Sequence, residues 1–421
     1  MCQSSQSPDA KPSESFPFHI PTYDAHCHPT DNMASMAALS TMKAAAMIIM
    51  ATRSQDQQLV ADVTQSHGIK SIDELASLKQ AQPSSSCNLI PAFGWHPWFS
   101  HQLYDDTTAA TPTYNPSNTT DKDAIFQAKC AHYRAVLQPP PEDDSFIASL
   151  PDPSPLSTLI NDTRARLAAH PVAIVGEIGL DKPFRLPQQW DPSKLEDRDP
   201  SITPGTREGR LLSPYRVDMA HQQAILTAQL QLAGEMNRPV SVHGVQAPGI
   251  LFDTISKTWI GFERHIPSRR ERRLVAPGAE DFSSSSDDED DEILARLKPK
   301  SKPSQSKSPY APRVCLHSYS GSAAVLSQWM RPTNPADVYV SFSSAVNLGS
   351  ESVRARIDDV IRAVPDDRVL VESDLDCAGD AMDAALDVMY RRVCAAKGWT
   401  LEDGVARIAS NFEAFVFGKQ K

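Results

Sequence analysis

The sequence predicts an α/β fold, a (β/α)8 TIM-like barrel with long disordered insertions. Eight short apolar runs, rich in β-branched residues, recur along the 421-residue chain, and helix-like segments separate most of them. Strands that alternate with helices pair in parallel through crossover connections, and near-continuous apolar runs suit strands buried on both faces. Four irregular segments leave about 265 residues of regular pattern, which is close to the roughly 250 of one such barrel.

The predicted strands lie, in chain order, in TYDAHCH, AAAMIIMAT, NLIPAFGWHP, AIVGEIGLD, RPVSVHG, RVCLHSYSG, DVYVSFSS and RVLVESDLD. Helices are predicted between them in segments such as SPYRVDMAHQQAILTAQLQLAGEM and AMDAALDVMYRRVCAAKG. An open, doubly wound sheet is the alternative arrangement of the same elements. No Gly-x-Gly-x-x-Gly turn follows the first strand, so the sequence does not support a dinucleotide-binding version of that sheet.

The irregular segments divide the chain into a tail, residues 1–18, and a single barrel domain, residues 19–421. Three insertions interrupt this domain at about 103–155, 182–212 and 258–311, and the first contains a predicted helix in AIFQAKCAHYRAVL. The last insertion combines the acidic run SSSSDDEDDE with the basic run KPKSKPSQSKSP. Blocks of this composition cannot bury enough apolar area to fold, so we expect disorder there and in the tail.

Charge and cysteine content restrict the class of protein. The formal net charge of −11 and the pI of about 5.6 argue against a protein that coats nucleic acid, although an enzyme that neutralises phosphates with bound cations remains compatible. The seven cysteines include no Cys-x-x-Cys pair, which favours reduced thiols. No signal core or membrane-length apolar run is present. We therefore expect a soluble protein of the cytoplasm or nucleus, without a membrane partner.

Histidines and carboxylates mark the ends of the predicted strands. Side chains alternate between the two faces of a strand, so His26 and His28 share a face while Cys27 points away. In a parallel barrel the C-terminal ends of all strands meet at one rim. That rim would gather eight residues that are distant in sequence: His26, His28, His96, Glu177, Asp181, His243, His317 and Asp374.

Such a set of side chains favours a metal site. Imidazole nitrogens and carboxylate oxygens suit divalent ions such as Zn²⁺ or Mn²⁺, and two ions bridged by a carboxylate would use more ligands than one tetrahedral ion. Glu177 and Asp374 also interrupt apolar strands, where an unpaired buried charge is costly. A lone histidine is more often an ordinary hydrogen-bonded residue, and that interpretation applies to His19, His67, His101, His132, His170, His221 and His265.

Several of these segments resemble a known family. YDAHCH, GWHP, VGEIGLD, QLQLAGEMNRPVSVH, LHSYSGS and LVESD are similar, in order, to motifs of the TatD family of metal-dependent deoxyribonucleases, within the amidohydrolase-like barrels. The long insertions resemble a fungal branch of this family. Its members include a protein described as binding a subunit of the anaphase-promoting complex.

The resemblance implies a ligand set and an activity. Carried over by motif, the metal ligands are His26, His28, Glu177, His243, His317 and Asp374. Glu177 would bridge two divalent ions (Mg, Mn or Zn), with His26, His28 and Asp374 on one ion and His243 and His317 on the other. The implied reaction is hydrolysis of DNA phosphodiester bonds by a hydroxide that the two ions activate.

Further residues receive expected roles beside the ligands. Asp374 is a candidate acceptor for the proton of the attacking water. His96 is expected to orient substrate or to donate a hydrogen bond to phosphate, unless it is a structural residue beneath a neighbouring tryptophan. Asp181 is expected to orient a histidine ligand. Arg53 contacts phosphate or, as the favoured interpretation, is a solvated loop residue.

Two positions depart from the family pattern. Ser318 and Tyr319 stand where a Cys-Phe pair is usual, and Leu375 and Asp376 stand where Ala-Pro normally follows the aspartate. The second change adds a negative charge near the rim. That charge would repel a phosphate unless the side chain faces away, which leaves the substrate class open.

Two other functions are compatible with the same residues. One is hydrolysis of an amide, ester or lactone on the same barrel, since hydroxide attack on a carbonyl uses the same groups. The other is an adaptor role, in which the chain binds a subunit of a cell-cycle complex. SSSSDDEDDE or RRERR is the candidate contact for that role, although a solvated linker is the favoured interpretation of both runs.

Overall fold

The computed structural model describes residues 15–78, 87–116, 120–267 and 308–419. Eight parallel strands form one sheet, and each is hydrogen-bonded to the next in chain order. They are β1 (Tyr23–Cys27), β2 (Ala46–Met50), β3 (Asn88–Phe93), β4 (Ile174–Asp181), β5 (Val240–Val245), β6 (Arg313–Leu316), β7 (Asp337–Ser343) and β8 (Val369–Glu372). Each of the eight predicted runs is therefore a strand of this sheet.

The first and last strands meet just beyond their C-terminal ends. The backbone N–H of Asp374 donates to the carbonyl of His26 over 3.0 Å, and that of His28 donates to Leu375 over 2.8 Å. These bonds join the end of β8 to the end of β1 and draw the sheet into a barrel. The predicted fold class is confirmed.

Helices follow most of the strands. In the described ranges they are α1 (Gln57–His67), α2 (Ile72–Leu78), α3 (Lys122–Val136), α4 (Asp144–Ser149), α5 (Leu156–Ala169), α6 (Met219–Glu235), α7 (Pro248–Lys257), α8 (Ala323–Trp329), α9 (Ser344–Asn347), α10 (Glu351–Arg354), α11 (Ile357–Ala363), α12 (Asp380–Lys397) and α13 (Leu401–Phe417). Short 3-10 helices are Pro29–Asp31, Met33–Ser40, Pro97–Gln102, Pro192–Asp197 and Asp366–Arg368. Polar caps begin several helices; the Asp218 carboxylate, for example, accepts hydrogen bonds from two N–H groups in the first turn of α6.

The C-terminal helix closes one end of the barrel. Phe412 of α13 stacks on Tyr23 at the start of β1, with ring centroids 4.5 Å apart and planes 20° from parallel. Asn411 donates to the carbonyl of Val369 at the start of β8 over 2.9 Å. The end at which the strands begin is therefore filled, and the opposite end, at which the strands finish, is where a ligand would bind.

Two of the predicted insertions fold onto the barrel. In 103–155, α3 and α4 pack their apolar faces together around Tyr133 and Phe146, and Leu186 from 182–212 joins the same cluster. The predicted helix in the first insertion is confirmed as α3. These two insertions are folded, whereas disordered insertions were expected. They fold because each buries a few apolar side chains against the other.

The remaining irregular segments are largely undescribed. Residues 1–14 of the predicted tail and 268–307 of the predicted last insertion, including its acidic and basic runs, lie outside the described residues. In the part of the chain that is described, no helix has both the length and the apolar character needed to cross a membrane.

Candidate metal centre

The rim of the barrel gathers all eight residues that the sequence places at strand ends. His26 and His28 lie at the end of β1, Glu177 and Asp181 are in β4, and His243 is in β5. The other three follow the ends of β3, β6 and β8: His96, His317 and Asp374. All of them except His26 line one cavity of about 890 Å³ at the mouth of the barrel.

Glu177 lies at the centre of this group. It is 3% exposed, and its Oε2 atom lies 3.4 Å from Nε2 of both His26 and His28. The other oxygen, Oε1, lies 2.9 Å from Nδ1 of His243 and 2.8 Å from Nε2 of His317. Burial by itself would raise the pKa of Glu177, but the surrounding imidazoles hold it well below its usual range. The carboxylate is therefore ionised, with one oxygen toward each pair of histidines.

Glycine at position 179 permits the close approach of β4 and β5 in this region. Gly179 pairs with His243 in the register of the two strands. A Cβ atom at position 179 would lie 2.1 Å from the carbonyl oxygen of His243, a distance that no side chain tolerates. The motif EIGLD therefore combines the central carboxylate with the glycine that lets a histidine of the next strand reach it.

The first histidine pair is completed by Asp374. Nε2 of His26 and Nε2 of His28 face each other at 3.1 Å, and Oδ1 of Asp374 lies 4.0 Å and 3.6 Å from these two atoms. Burial raises the pKa of Asp374, but its interaction with His28 and the charges of the neighbouring histidines lower that pKa to about 2. The three side chains offer ligand atoms that all lie within 4.8 Å of one another.

The second pair is His243 and His317, and His96 lies beside it. Nδ1 of His243 lies 3.1 Å from Nε2 of His317. His96 directs Nε2 at Oε1 of Glu177 over 3.3 Å, while its Nδ1 accepts a hydrogen bond from the backbone N–H of Trp98 over 3.2 Å. Burial lowers the pKa of His96 to about 4, so its imidazole is neutral. His96 thus contacts a tryptophan, as one interpretation expects, and also reaches the cluster.

Hydrogen bonds to other residues orient the histidines. Asp181 accepts from Nε2 of His243 over 3.0 Å and from the indole of Trp98 over 2.7 Å, which leaves Nδ1 of His243 as the nitrogen toward Glu177. This is the arrangement expected for Asp181. On the first pair, Nδ1 of His26 lies 2.8 Å from the hydroxyl of Ser241, a partner that the sequence did not indicate.

A further buried carboxylate, Glu372, lies beside the cluster and was not among the predicted site residues. It is fully buried, and its Oε1 lies 3.4 Å from Nδ1 of His317. The same oxygen accepts hydrogen bonds from the backbone N–H and the hydroxyl of Ser318, at 2.7 Å and 2.6 Å. The signal in the sequence was present, because Glu372 and Asp374 share a strand face in VLVESDLD. The serine that replaces the usual family cysteine is the residue that holds Glu372 in place.

The side chains of this cluster have the ligand atoms that a divalent metal centre requires. Facing ring nitrogens 3.1 Å apart occur twice, and each pair needs a proton or a cation between its lone pairs. Besides the group with Asp374, His96, Glu177 and His243 also offer atoms within 4.8 Å of one another. Such ions prefer deprotonated imidazoles and ionised carboxylates. Burial lowers the pKa of His28, but Asp374 and Glu177 raise it to about 9, and neighbouring carboxylates raise the pKa of His243 and His317 too, so cations bound there would displace protons.

The favoured interpretation of Arg53, a solvated loop residue, is wrong. Its side chain is 1% exposed, and although it lines the cavity of the metal centre, its guanidinium donors are bonded to other protein groups. The guanidinium donates to carboxylate oxygens of Asp31 and Asp56, at 2.7 Å and 3.0 Å. It also donates to the carbonyls of Pro204 and Thr203, at 2.8 Å and 3.1 Å. The reason is that insertion 182–212 folds over the end of β2, which the sequence pattern does not show.

The acidic residue that departs from the family pattern faces inward. Asp376 lines the cavity at the mouth of the barrel, together with Asp199 and Glu208 from insertion 182–212. Because Asp376 does not face away from the cavity, its carboxylate would repel a phosphate group bound there. The mouth of the barrel is acidic beyond the carboxylates of the metal centre itself.

The histidines that were interpreted as ordinary residues lie outside the cluster. His132 is fully buried and lies 2.7 Å from the hydroxyl of Thr113 and 2.8 Å from the carbonyl of His101. His221 lies 2.9 Å from the carbonyl of Ser100. His132 fastens insertion 103–155 to the segment that follows β3, and His221 fastens α6 to the same segment.

Comparison with known proteins places the chain among relatives along nearly its whole length. The family described as "TatD related DNase" matches residues 23–417. The Cut9-interacting protein scn1 of Schizosaccharomyces pombe is 35% identical over 398 residues, which cover 93% of this chain and 98% of that protein. The uncharacterized deoxyribonuclease YMR262W of Saccharomyces cerevisiae is 25% identical over 354 residues, covering 80% and 85%.

The TatD homologue YJJV of Escherichia coli is 15% identical and superposes with a TM-score of 0.44, covering 96% of this chain and 100% of that one. A TatD family hydrolase of Entamoeba histolytica is 10% identical with a TM-score of 0.44, covering 95% and 99%.

Proposed function

The chain belongs to the family of TatD-related DNases, and from that premise we propose that it hydrolyses phosphodiester bonds of DNA at a centre of two divalent ions. The observation that carries the proposal is the position of Glu177. Its two oxygens face separate groups of histidines, at 3.4 Å on one side and at 2.8–2.9 Å on the other. A carboxylate in this position is suited to bridge two ions.

The residues divide between two ion positions. His26, His28 and Asp374 would hold one ion, His243 and His317 would hold the other, and Glu177 faces both positions. Divalent ions bound there would lower the pKa of a water molecule and stabilise negative charge on the phosphoryl oxygens. Mg, Mn and Zn are all compatible with this mixture of nitrogen and oxygen donors.

The protein's own groups would orient the reactants and move a proton. Asp374 is ionised, its Oδ2 lies 3.2 Å from the hydroxyl of Ser318, and its Oδ1 faces His28, so it can accept a proton from water at the rim. Asp181 fixes the tautomer of His243 through the bond to Nε2. His96, held by the backbone of Trp98, is positioned beside the phosphate or the ion that it would contact.

The test combines metal analysis with a cleavage assay. Purified protein should contain divalent metal and should cleave single-stranded DNA, and a chelator should abolish the cleavage. Glu177→Gln should lose both metal and cleavage, while Glu402→Gln, an exposed acid at the start of α13, should keep both. Cleavage by the Glu177→Gln protein at the unmodified rate would rule out the bridging role.

A second candidate function is supported by the acidity of the mouth. Seven carboxylates line the cavity, including Asp376, and they disfavour a polyanion more than a neutral ester, lactone or amide. The same metal-containing protein should therefore be assayed on DNA, phosphate esters and acyl substrates in parallel. A rate on an acyl substrate that exceeds the rate on DNA would favour this alternative.

A third candidate is an adaptor role, and the name of the scn1 relative supports it. The chain would then bind a subunit of a cell-cycle complex, with or without catalysis. Residues 268–307 should be deleted to test this, rather than 258–311, because Trp259 is buried in the barrel core. If the Glu177→Gln protein captures the partner and the protein without residues 268–307 does not, partner binding is independent of hydrolysis and depends on this segment.

A further inference from the structure

A second cavity adjoins the cavity of the metal centre. It has a volume of about 520 Å³ and lies between the 3-10 helix Pro97–Gln102 and the two folded insertions, 103–155 and 182–212. We call it the side cavity. Four side chains line both cavities: Trp98, Phe99, Thr206 and Arg207. A substrate longer than one unit would extend from the metal centre into the side cavity past these residues.

The two cavities differ in charge. Seven carboxylates line the cavity of the metal centre, whereas none of the described residues that line the side cavity is acidic. The charged groups of the side cavity are the guanidinium groups of Arg207 and Arg210. An electron-rich or negatively charged part of a substrate is therefore repelled less in the side cavity than in the cavity of the metal centre.

The walls of the side cavity suit a flat ring. Trp98 and Phe184 are stacked, with ring centroids 4.5 Å apart and planes 10° from parallel, and the bond from the indole to Asp181 fixes the orientation of the pair. Apolar side chains make up much of the remaining wall: Leu150, Pro151, Leu186, Pro187 and Leu212. Stacking on aromatic side chains is how proteins commonly hold the bases of single-stranded nucleic acids.

Polar groups in the walls could contact the edge of such a ring. His101 lines the cavity and is 4% exposed, and burial lowers its pKa to about 3, so it contributes a neutral imidazole to the wall. Gln102 lines the same cavity with an amide that can both donate and accept.

Arg207 stands at the boundary between the two cavities. Its side chain is exposed, its Nε donates to the carbonyl of Arg210 over 2.7 Å, and it takes part in no ion pair with the described residues. The remaining guanidinium donors are therefore available to an oxygen ligand. Guanidinium groups bind phosphate oxygens strongly because their donors match the geometry of that group.

From these observations we propose that the side cavity is the subsite for the nucleobase next to the scissile phosphodiester, with Arg207 contacting the phosphate backbone at its entrance. The assignment rests on the proposed hydrolysis of DNA. It names the two insertions, together with the 3-10 helix Pro97–Gln102 that follows β3, as the elements that select a substrate carrying a base.

The experiment compares two labelled oligothymidylates that differ only in one base. One is intact, and the other carries an abasic residue next to the bond that is cut. Leu212→Trp fills the side cavity, and Leu211→Trp is the matched control, because Leu211 is 70% exposed and lines neither cavity. Leu150→Trp, in the other insertion, is a second filling variant in case Leu212→Trp does not fold. Cleavage is measured with metal, and binding is measured with chelator by fluorescence anisotropy.

The proposal expects the unmodified protein to favour the intact oligonucleotide about fivefold to a hundredfold in both assays, the range of base stacking on aromatic side chains. The filling variants should lose this preference, and Leu211→Trp should keep it. Equal handling of the two oligonucleotides by the unmodified protein, or equal slowing of both by the filling variants, overturns the proposal. A preference in binding with no cleavage of either oligonucleotide would instead contradict the proposed hydrolysis and leave the base subsite standing.

Discussion

Among single residues, Glu177 determines how the metal centre is arranged. An ionised carboxylate that is 3% exposed needs partners that carry positive charge or donate hydrogen bonds. Its neighbours are imidazoles, which are neutral acceptors unless they are protonated. Because the ring nitrogens of His26 and His28 also face each other at 3.1 Å, the described side chains do not satisfy one another fully. Cations at these positions would satisfy both kinds of group at once.

Asp181 offers a residue-scale test of how the ligands are oriented. Its carboxylate accepts from Nε2 of His243, so Nδ1 is left to bind metal. Asp181→Asn would place an amide N–H or a weaker acceptor at this point and favour the other tautomer. We expect metal affinity to fall about tenfold to a hundredfold, as for other residues that orient metal-binding histidines.

The effect of Asp181→Asn is measured by titrating the metal-free protein with Mn²⁺ or Zn²⁺ in a calorimeter. Asp218→Asn is the control, because Asp218 caps α6 outside the cavity. Unchanged affinity in Asp181→Asn would show that the orientation of His243 does not depend on this carboxylate.

His132 gives a residue-scale prediction about pH. Burial lowers its pKa from 6.5 to about 4 in the folded protein, whereas the unfolded chain takes up the proton near pH 6.5. The unfolded state therefore binds more protons below pH 6.5, and stability should fall as the pH drops from 6.5 toward 4, by at most about 3 kcal/mol from this residue. Above pH 6.5 this residue contributes no slope.

Urea unfolding between pH 4.5 and 7.5 measures that slope. His132→Gln should be less stable at neutral pH but should lose stability less steeply toward acid. His67→Gln, which replaces an exposed histidine of α1, should follow the unmodified protein. An identical slope in His132→Gln and the unmodified protein would contradict the prediction.

Some residues of the site could be predicted from the sequence and others could not, for a physical reason. Strand parity and parallel pairing are enough to bring His26, His243 and Asp374 to one rim, whatever the loops do. Arg53 could not be placed, because its partners at Thr203 and Pro204 lie in an insertion whose path the pattern does not show. Glu372 was visible as a buried acid, but its role depends on the orientation of one histidine ring.

At the scale of secondary-structure elements, insertion 182–212 is held on the barrel by Arg53. The guanidinium joins two buried or half-buried carboxylates of the rim to two carbonyls of the insertion. Arg53→Ala would leave Asp56, which is 1% exposed, without its cation. Removing one partner of a buried ion pair costs about 3–5 kcal/mol, so we expect a loss of stability of that order.

Detachment of the insertion can be observed directly. Trypsin should cut Arg53→Ala much faster than the unmodified protein at Arg198, Arg207 or Arg210, and Arg53→Lys should be intermediate. Arg264→Ala, which removes a surface ion pair with Asp337, is the control. Equal rates of cutting in Arg53→Ala and the control would show that the insertion is held by other contacts.

The elements themselves were predictable to different extents. Each barrel strand is a short apolar run, so a few consecutive residues are enough to predict that it is buried, and all eight strands were predicted. The folded insertions were not, because their core draws Phe146, Leu186 and Val217 from three separate segments. No window of sequence contains enough of that cluster to indicate it.

At the scale of the whole molecule, the net charge of −11 and the proposed substrate are reconciled by the metal centre. A protein that binds nucleic acid through its own surface needs a basic face, whereas one that binds a single phosphodiester at bound cations does not. Binding of DNA should therefore depend little on the net charge of the protein surface and should weaken when the ions are removed. Composition argued against a coating protein, but it did not show that Arg207 lies at the mouth without an ion pair to the described residues.

The same architecture couples the metal centre to the stability of the whole barrel. The six proposed ligands come from the ends of five strands that are spread along the chain: β1, β4, β5, β6 and β8. The unfolded chain cannot gather them, so ions that bind only the folded protein should stabilise it. A single ion at a concentration a hundred times its dissociation constant contributes about 2.7 kcal/mol.

Thermal unfolding of the metal-free protein, titrated with Mn²⁺ or Zn²⁺, should show a Tm that rises with metal concentration. In Glu177→Gln the rise should be largely lost, since both ions share that carboxylate, whereas in Glu402→Gln it should be retained. If Glu177→Gln gains as much stability from metal as the unmodified protein, the ions bind elsewhere on the chain. The side chains at the five strand ends would then be a hydrogen-bonded cluster and not a metal centre, because a ligand that binds the folded state more tightly must raise its stability by the corresponding amount.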